Sequence, residues 1–545
     1  MTAADIRTGR VVAPPNERAR WLRLLRLDLR RITRGAAILG ALTAGFTALV
    51  VRVYPSTVAS PQDAAALELV AHNPAIRLLF GIPRALDTAG GFTVWRTGTI
   101  AAVAIAAWAL ATATRLTRGE EDSGRSWLLH SAPVPIPTTV VAHLTTIVAV
   151  VTAIGAATAV AMVAAGATPE GALIYTAGLV AVGWFFTAIG ASASQLLGER
   201  SQAGGLAAGL LVAALMTRMV GDGLESVGWI GWLTPFGLLS LSAPYTGNHW
   251  LPIVALIAAS LAAATLAVYL AGHRDLGAGL IAVRGTRAAR TRLLSSPVGF
   301  ATRRTLPSLL GWGAAIVGYF LLIGLLAVSL TEFLTANPRF AELAAAAGFG
   351  DLVRVEGYVA ALFKLLPIPL GLYAAVRIAR LAAAETRGQL TLLFSTPVRR
   401  VAWPLSEAFV VTVACLLLAA VTAVSAWIGT TIVAADLTLG DAFAGTANVL
   451  PVVFLSVGAA IVAWGWWPRA VLPIGALPTV GGFIWWVVAE SLDWSERVQA
   501  ISPYPHLASV PANPPNLLAA ATMTGVAAAL LLGGLIGFSR RDLRT

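Results

Sequence analysis

The sequence predicts an all-α polytopic membrane protein with twelve transmembrane helices in two parallel six-helix repeats. Of its 545 residues, 57% are hydrophobic and only 12% are charged, whereas a soluble domain typically has about 25% charged residues. The mean hydropathy is +0.78. Twelve apolar runs approach the length of about 20 residues that a spanning helix needs, and one segment between spans occurs twice.

The predicted spans fall into two sets of six with similar spacing. The first set is 36–53, 98–114, 140–163, 172–196, 204–220 and 251–270, and the second is 309–330, 359–376, 405–433, 449–464, 471–488 and 517–537. Because each set has an even number of spans, the two halves have the same orientation, and we expect a pseudo-two-fold axis along the membrane normal. Their many Ala, Gly and Val residues permit close helix packing.

Arginine residues cluster in three segments that an even number of spans places on one side of the membrane. They precede the first span at 18–34, fill the linker between the halves at 284–304, and follow the last span at 540–544. The positive-inside rule makes this side cytoplasmic. We therefore expect a multi-pass protein of the inner (plasma) membrane with both termini in the cytoplasm, whose first span is retained as an anchor.

These patterns divide the chain into four segments. Residues 1–35 are a cytoplasmic basic tail with an amphipathic helix on the membrane surface, in which Trp21, Leu22, Leu25, Leu29 and Ile32 recur near helical spacing. A longer first helix is the alternative. Residues 36–276 form the first six-helix half, residues 277–306 an Arg-rich cytoplasmic linker, and residues 307–545 the second six-helix half with a short cytoplasmic tail.

The duplicated segment lies on the predicted cytoplasmic side of both halves. Residues 121–134 read EDSGRSWLLHSAPV and residues 385–398 read ETRGQLTLLFSTPV, with seven of the fourteen positions identical at an offset of 264. The identical positions include an acidic residue, a glycine, a Leu-Leu pair and a proline. A second duplication, RDL at 274–276 and at 541–543, follows the last span of each half.

Several kinds of site are missing from the sequence. A Walker A loop needs a lysine after a Gly-rich turn, and the only lysine, Lys364, follows Phe363. No carboxylate or histidine is predicted deep in a span, where a proton-coupled carrier would need one; Glu407 and Glu490 come closest. The histidines are too scattered for a metal site, and no nucleophile lies beside a base. We expect no catalysis, cofactor or metal on this chain.

The duplicated segment resembles the coupling segment of ABC-2 type exporter permeases, in which an acidic residue and a glycine precede a short Leu-rich helix ended by Ser-x-Pro. The tail FSRRDL at 538–543 resembles that family's ending. NPAIRLLFG at 73–81, GFTVW at 91–95 and WLTPFG at 232–237 are similar to the duplicated actinobacterial permeases of the tetronasin-resistance or multidrug-efflux type, of which mycobacterial and streptomycete chains are examples. This resemblance covers nearly the whole chain.

The resemblance implies a permease that pairs with two copies of a separate ATPase, which binds ATP and Mg²⁺ and docks on the two coupling segments. The leucine pairs would fill a groove on the ATPase, each acidic residue would meet basic groups there, and each proline would end the helix. The alternative is a loop helix packed on its own half. The residues so assigned are Glu121, Gly124, Leu128, Leu129, Pro133, Glu385, Gly388, Leu392, Leu393 and Pro397.

Two further sets of residues are candidates for structural or transport roles. Lys364 and the span aromatics Trp184, Phe185, Phe186, Trp427 and Trp464 are candidates for lining a substrate pathway. Snorkelling of the lysine and contact of the aromatics with lipid are the alternatives. Arg218 and Asp222 are four residues apart and predict a structural ion pair.

The function expected from these features is export of hydrophobic antibiotics or drugs, driven by ATP that a partner chain hydrolyses. Three alternatives stay open at the level of the sequence. The cargo could be a lipid or a component of the cell envelope, the chain could be a membrane sensor of an ATPase complex that moves nothing, or it could be an ion-coupled secondary transporter.

Overall fold

The computed structural model describes residues 17–58, 67–68, 74–131, 134–223, 225–281, 293–294, 296–336, 354–386, 399–491 and 494–541. These residues are mostly helical and contain no strand. Twelve helical stretches are long and apolar enough to cross a membrane, and each overlaps one predicted span. The prediction of an all-α polytopic membrane protein with twelve spans is confirmed. The chain divides into two compact units, one of Met1–His72 with Ile76–Gly285 and the other of Asn73–Ala75 with Thr286–Thr545.

The first unit contains six long helices and several short ones between them. In chain order they are α1 (Glu17–Thr57), α2 (Pro74–Phe80), α3 (Ala89–Leu116), α4 (Arg118–Asp122), α5 (Arg125–His130), α6 (Ile136–Ala164), α7 (Pro169–Leu196), α8 (Arg200–Gly223), α9 (Pro235–Leu241) and α10 (Leu251–Ala271). A 3₁₀ helix, Glu225–Leu233, connects α8 to α9. The core is built from α3, α6 and α7, where small side chains such as Ala102, Ala106 and Ala109 are fully buried.

Side-chain contacts define two ends of the first unit. At one end the beginnings of α1 and α6 meet the end of α3, and Arg31, Arg118 and Arg274 all find carboxylate partners there; we call this the basic end. At the opposite end the Tyr54 hydroxyl donates to the Leu86 carbonyl over 2.8 Å. The predicted Arg218–Asp222 pair is present at this opposite end and is buried.

The first helix differs from the main prediction. Helix α1 runs without a break from Glu17 to Thr57, so the basic stretch is continuous with the first span and does not form a separate helix. The face that packs inward is formed by Leu24, Asp28, Ile32 and Ala36, at four-residue intervals, whereas Leu29 is exposed. A run of apolar residues at near-helical spacing could not distinguish the two arrangements, because both are amphipathic helices.

The second unit has the same general plan. Its helices are α11 (Pro297–Gly324), α12 (Ala327–Ala336), α13 (Val355–Phe363), α14 (Pro367–Thr386), α15 (Ala402–Ile432), α16 (Leu439–Asn448), α17 (Leu450–Trp466), α18 (Val471–Ala476), α19 (Gly482–Ser491), α20 (Glu496–Gln499) and α21 (Leu517–Arg540). Helix α11 begins at Pro297, inside the segment assigned to the linker. A π-helical turn, Leu477–Gly481, joins α18 to α19.

Glycines bring α17 and α21 of the second unit very close together. A Cβ atom added to Gly534 would lie 2.5 Å from the Ile461 carbonyl oxygen, and one added to Gly465 would lie 2.3 Å from that of Gly534. Only residues without a side chain allow backbones to approach this closely. The close approach places the end of α17, with Trp464, beside the end of α21, with Phe538 and Arg541.

Candidate functional site

The first copy of the duplicated segment forms two short helices at the basic end of its unit. Helix α4 carries Glu120 and Glu121, and α5 follows after a turn at Gly124. Gly124 has φ +75°, a left-handed conformation that a residue with a side chain adopts at a cost. Its N–H donates to the Glu121 carbonyl over 2.9 Å. The glycine predicted in the motif thus sets the direction in which α5 leaves α4.

Glu121 is buried against arginines of its own unit. Its side chain is 6% exposed and binds both Arg118 and Arg274, and Arg274 Nη1 donates to Glu121 Oε2 over 2.8 Å. The backbone N–H of Gly277 donates to the same oxygen over 3.1 Å. Arg274 also donates from Nε to Gln195 Oε1 over 2.6 Å. One carboxylate therefore joins α4 to the end of α7 and to the segment after α10.

Glu120 connects α5 to α1. Arg125 at the start of α5 donates to both oxygens of Glu120, over 2.8 and 2.9 Å, and Arg31 of α1 lies 3.2 Å from Glu120 Oε2. The hydrogen bonds to Glu120 raise the pKa of the Arg125 guanidinium above its ordinary value. A bidentate pair of this kind fixes orientation as well as distance. The orientation of α5 is thus fixed by charged groups behind it.

The exposed surface of α5 is apolar. Leu128 is 79% exposed and Trp127 is 61% exposed, whereas Leu129 is half-buried. Pro133 lies outside the described residues. Of the predicted leucine pair, Leu128 is therefore the residue available for an external contact. Trp127 was not singled out from the sequence, because it is absent from the second copy of the motif.

In the second unit the matching carboxylate has the same kind of environment. Glu385, at the end of α14, is 1% exposed, and its Oε2 accepts hydrogen bonds from Arg541 Nη2 over 2.6 Å and from Trp464 Nε1 over 2.9 Å. Phe538 lies between them, with its ring 5.0 Å from that of Trp464 and under the Arg541 guanidinium. Gly388, Leu392, Leu393 and Pro397 lie outside the described residues.

These contacts correct the role predicted for the two glutamates. Each was expected to meet basic groups of a partner protein, but each binds an arginine of its own unit, and the two arginines belong to the second duplicated motif. The offsets of 264 for the glutamates and 267 for the arginines are nearly equal. That equality was the signal in the sequence from which the pairing could have been inferred.

The structure separates the aromatic residues that were candidates for a substrate pathway. Phe186 and Trp464 are buried, Phe186 in the core of the first unit against Phe236 and Trp464 on Glu385, so neither is placed to line an open pathway. Trp184, Phe185 and Trp427 are half-buried. Trp184 donates from Nε1 to Thr152 Oγ1 over 3.2 Å. Burial depends on which face of a helix points inward, which the spacing of aromatics alone did not determine.

Lys364 lies at the junction of α13 and α14, which together form the eighth span. It follows Phe363 at the end of α13 and is half-buried. The eighth span is interrupted here, since α13 ends at Phe363 and α14 begins at Pro367. Its role in a pathway stays a prediction.

Each unit also has a buried carboxylate in the contact between its first and third long helices. In the first unit Asp28 of α1 lies 2.6 Å from His143 Nδ1 of α6. In the second unit Glu407 of α15 lies 3.5 Å from Arg304 of α11 and 3.4 Å from Arg377 of α14. A buried carboxylate beside a histidine was not predicted, because Asp28 precedes the predicted start of the first span.

Two comparisons with known proteins agree with this architecture. Residues 294–539 match the family described as the C-terminal domain of the multidrug efflux system permease Rv1217c. Over 538 residues the chain is 28% identical to the multidrug efflux system permease protein Rv1217c of Mycobacterium tuberculosis, across 96% of this chain and 95% of the relative. With twelve candidate spans and a duplicated segment that begins with a buried, arginine-bound glutamate in both halves, the chain is similar to this multidrug efflux permease along nearly its whole length.

Proposed function

We propose that the chain is the membrane-spanning subunit of an ABC exporter that moves hydrophobic antibiotics or drugs out of the cell. The relative's name, a multidrug efflux system permease, supports drugs over a lipid or a cell-envelope component as cargo. ATP and Mg²⁺ bind a separate ATPase, of which two copies dock on the two duplicated segments. The duplicated segments and both termini then lie in the cytoplasm.

The observation that carries this proposal is the exposed apolar tip of α5. Trp127 and Leu128 project from a helix whose back is fixed by Glu120 and Glu121. An apolar helix face of this kind fits a hydrophobic groove on a partner. Because ion pairs join α4 to α5, α1 and the segment after α10, and Arg274 also donates to Gln195 of α7, a displacement of α5 is transmitted to the long helices.

The first experiment is native mass spectrometry of the complex purified gently from its own membrane. We expect one permease chain with two copies of a subunit that carries a Walker A motif. An intact preparation of the permease alone would contradict the proposal. The purified complex, reconstituted in vesicles, should also accumulate a hydrophobic dye when ATP is supplied; hydrolysis that responds to the drug without movement of any dye would identify a sensor instead.

The docking surface is tested by Leu128→Asp with Leu22→Ser as its control. Leu22 is an exposed leucine of α1, 45% exposed, on a different surface from α5. We expect Leu128→Asp to reduce the amount of ATPase that copurifies by at least about fivefold, since a buried charge without a partner opposes docking, and Leu22→Ser to leave it unchanged. Equal copurification with both variants would show that α5 is an ordinary loop helix.

A second candidate function, ion-coupled transport, is favoured by one observation. Asp28 and His143 are buried and lie 2.6 Å apart, and neighbouring carboxylates and histidines form the proton relays of many membrane transporters. The test is efflux from vesicles that contain a proton gradient and no ATP. Gradient-driven efflux that is lost in Asp28→Asn would support this candidate, and efflux that needs ATP would exclude it.

A further inference from the structure

A cavity at the opposite end of the first unit has no part in the coupling site. It has a volume of about 60 Å³ and lies between α3, α7, α8 and α9, beside the loop after α2. The lining residues include three aromatic side chains, Phe80, Trp95 and Phe236. They also include two cationic side chains, Arg84 and Arg218. A space of this size exceeds what one water molecule needs. Three segments noted in the sequence, 73–81, 91–95 and 232–237, all contribute to it.

The cavity wall is fixed by hydrogen bonds to the loop after α2. Trp95 donates from Nε1 to the Gly81 carbonyl over 3.1 Å, and Arg218 donates from Nη2 to the Phe80 carbonyl over 3.2 Å. Gly81 has φ +101°, and a Cβ atom there would lie 2.0 Å from Arg218 Nη2. A glycine is therefore required for the loop to approach the arginine. The site is formed by the fold and does not depend on exposed, freely moving side chains.

Positive charge exceeds negative charge around this cavity. Arg218 is 5% exposed and forms an ion pair with Asp222, and the Arg77 and Arg84 guanidinium groups act on the same carboxylate. Among the described residues, Arg218 Nη1 and Arg84 Nε are buried and have no hydrogen-bond partner. A buried donor without an acceptor is costly, so these atoms favour an incoming anionic group.

We propose that this cavity binds the acidic group of an anionic amphiphile, with the carboxylate or phosphate at Arg84 and Arg218 and the adjoining apolar part against Phe80, Trp95 and Phe236. Guanidinium groups match the planar geometry of carboxylates and the oxygens of phosphates. The inference rests on the proposed function for its biological meaning, because it narrows the cargo from hydrophobic compounds to acidic ones. The same chemistry also fits the headgroup of an anionic lipid.

Binding is tested with the permease in phosphatidylcholine nanodiscs and dansyl-undecanoate as the probe, compared with its uncharged methyl ester. We expect the acid to bind saturably. Arg84→Gln should weaken its binding about tenfold, the scale of one lost charge-assisted contact, without changing the ester. Arg96→Gln is the control, because Arg96 is exposed and lies over Phe92. Arg218→Met should act like Arg84→Gln, but it also leaves Asp222 without its partner, so Arg84→Gln is the main variant.

The outcomes of these measurements decide the proposal, the source of the anion and the relation of the site to transport. Equal affinity for the acid and the ester, or unchanged binding of the acid by both cavity variants, would overturn it. Competition by phosphatidylglycerol added to the nanodiscs would identify the bound group as a lipid headgroup, and binding insensitive to that lipid would identify it as part of a cargo. Loss of ATP-driven movement of every probe, with acid binding intact, would contradict the proposed function and leave the anion site standing.

Discussion

Glu121 and Glu385 occupy matching positions in the duplicated segment, and both are buried on an arginine that follows their unit's last long helix. The remaining partners differ. Glu121 binds a second arginine, Arg118, whereas Glu385 accepts from the indole of Trp464. Removal of one partner from a buried ion pair leaves an uncompensated charge. The first unit, in which two guanidinium groups depend on one carboxylate, is the more sensitive of the two to neutralisation.

Glu121→Gln should therefore lower the stability of the first unit by about 3–5 kcal/mol, the usual cost of breaking a buried pair. Arg274→Met alone should cost a similar amount, and the double variant should cost clearly less than the sum, because the same contact is lost in all three proteins. The measurement is a double-mutant cycle on thermal unfolding of the detergent-purified protein, read by tryptophan fluorescence.

The cycle also separates a positioning role from direct docking. If Glu121 acts by fixing α4 and α5, stability and ATPase binding should fall together and the double variant should recover part of both. Strictly additive losses would show that Glu121 and Arg274 act independently, contrary to the contacts described here. Asp122→Asn serves as the control, since Asp122 of α4 is exposed and accepts a hydrogen bond from the backbone N–H of Arg200 over 2.8 Å.

At the level of helices, the close crossing of α17 and α21 determines whether Trp464 and Arg541 reach Glu385. Gly534→Ala would place a methyl group 2.5 Å from the Ile461 carbonyl oxygen, so the helices must move apart. We expect a loss of about 1–3 kcal/mol from overpacking and a lower unfolding temperature. Gly525→Ala, on the same helix with no atom within 4 Å of the added Cβ, is the matched control and should not destabilise. Equal effects would show that the crossing is loose.

Much of this arrangement could be predicted from the sequence, and the features that could not be predicted have identifiable physical reasons. The number of spans and the all-α fold class were predicted because the length of an apolar run is a strong signal of a membrane-spanning helix. The direction of Glu121 was not predicted, since a carboxylate between spans can face a partner protein or an arginine of its own unit with the same local pattern. Trp464 was assigned to a pathway because an aromatic residue in a span does not reveal its partner, which here lies 79 residues away along the chain.

At the scale of the whole molecule, the two units share a helical plan but differ in where their buried charged residues lie. The contact between the first and third long helices has the acid on the first helix in one unit, at Asp28, and on the third helix in the other, at Glu407. Each unit thus has a buried carboxylate at this helix contact, on opposite partners in the two units. The anion-favouring cavity belongs to the first unit. We therefore expect the two units to contribute unequally to transport, although both bear the duplicated segment.

The orientation of the whole molecule gives the last prediction. Cysteines introduced at Ser131, directly after α5, and at Ser539, near the end of α21, are exposed and should react with a membrane-impermeant maleimide only after the membrane is opened. Cysteines at Thr246 and Ala500, exposed in the loop after α9 and directly after α20, should react in intact cells. Cys415 is the only native cysteine and is buried, so background labelling is small, and Cys415→Ala removes it. Labelling of both Ser131→Cys and Ser539→Cys in intact cells would show that the orientation is reversed. Labelling of only one of them would contradict the parallel arrangement of the repeats, because an even number of spans between the two positions must place both on the same side.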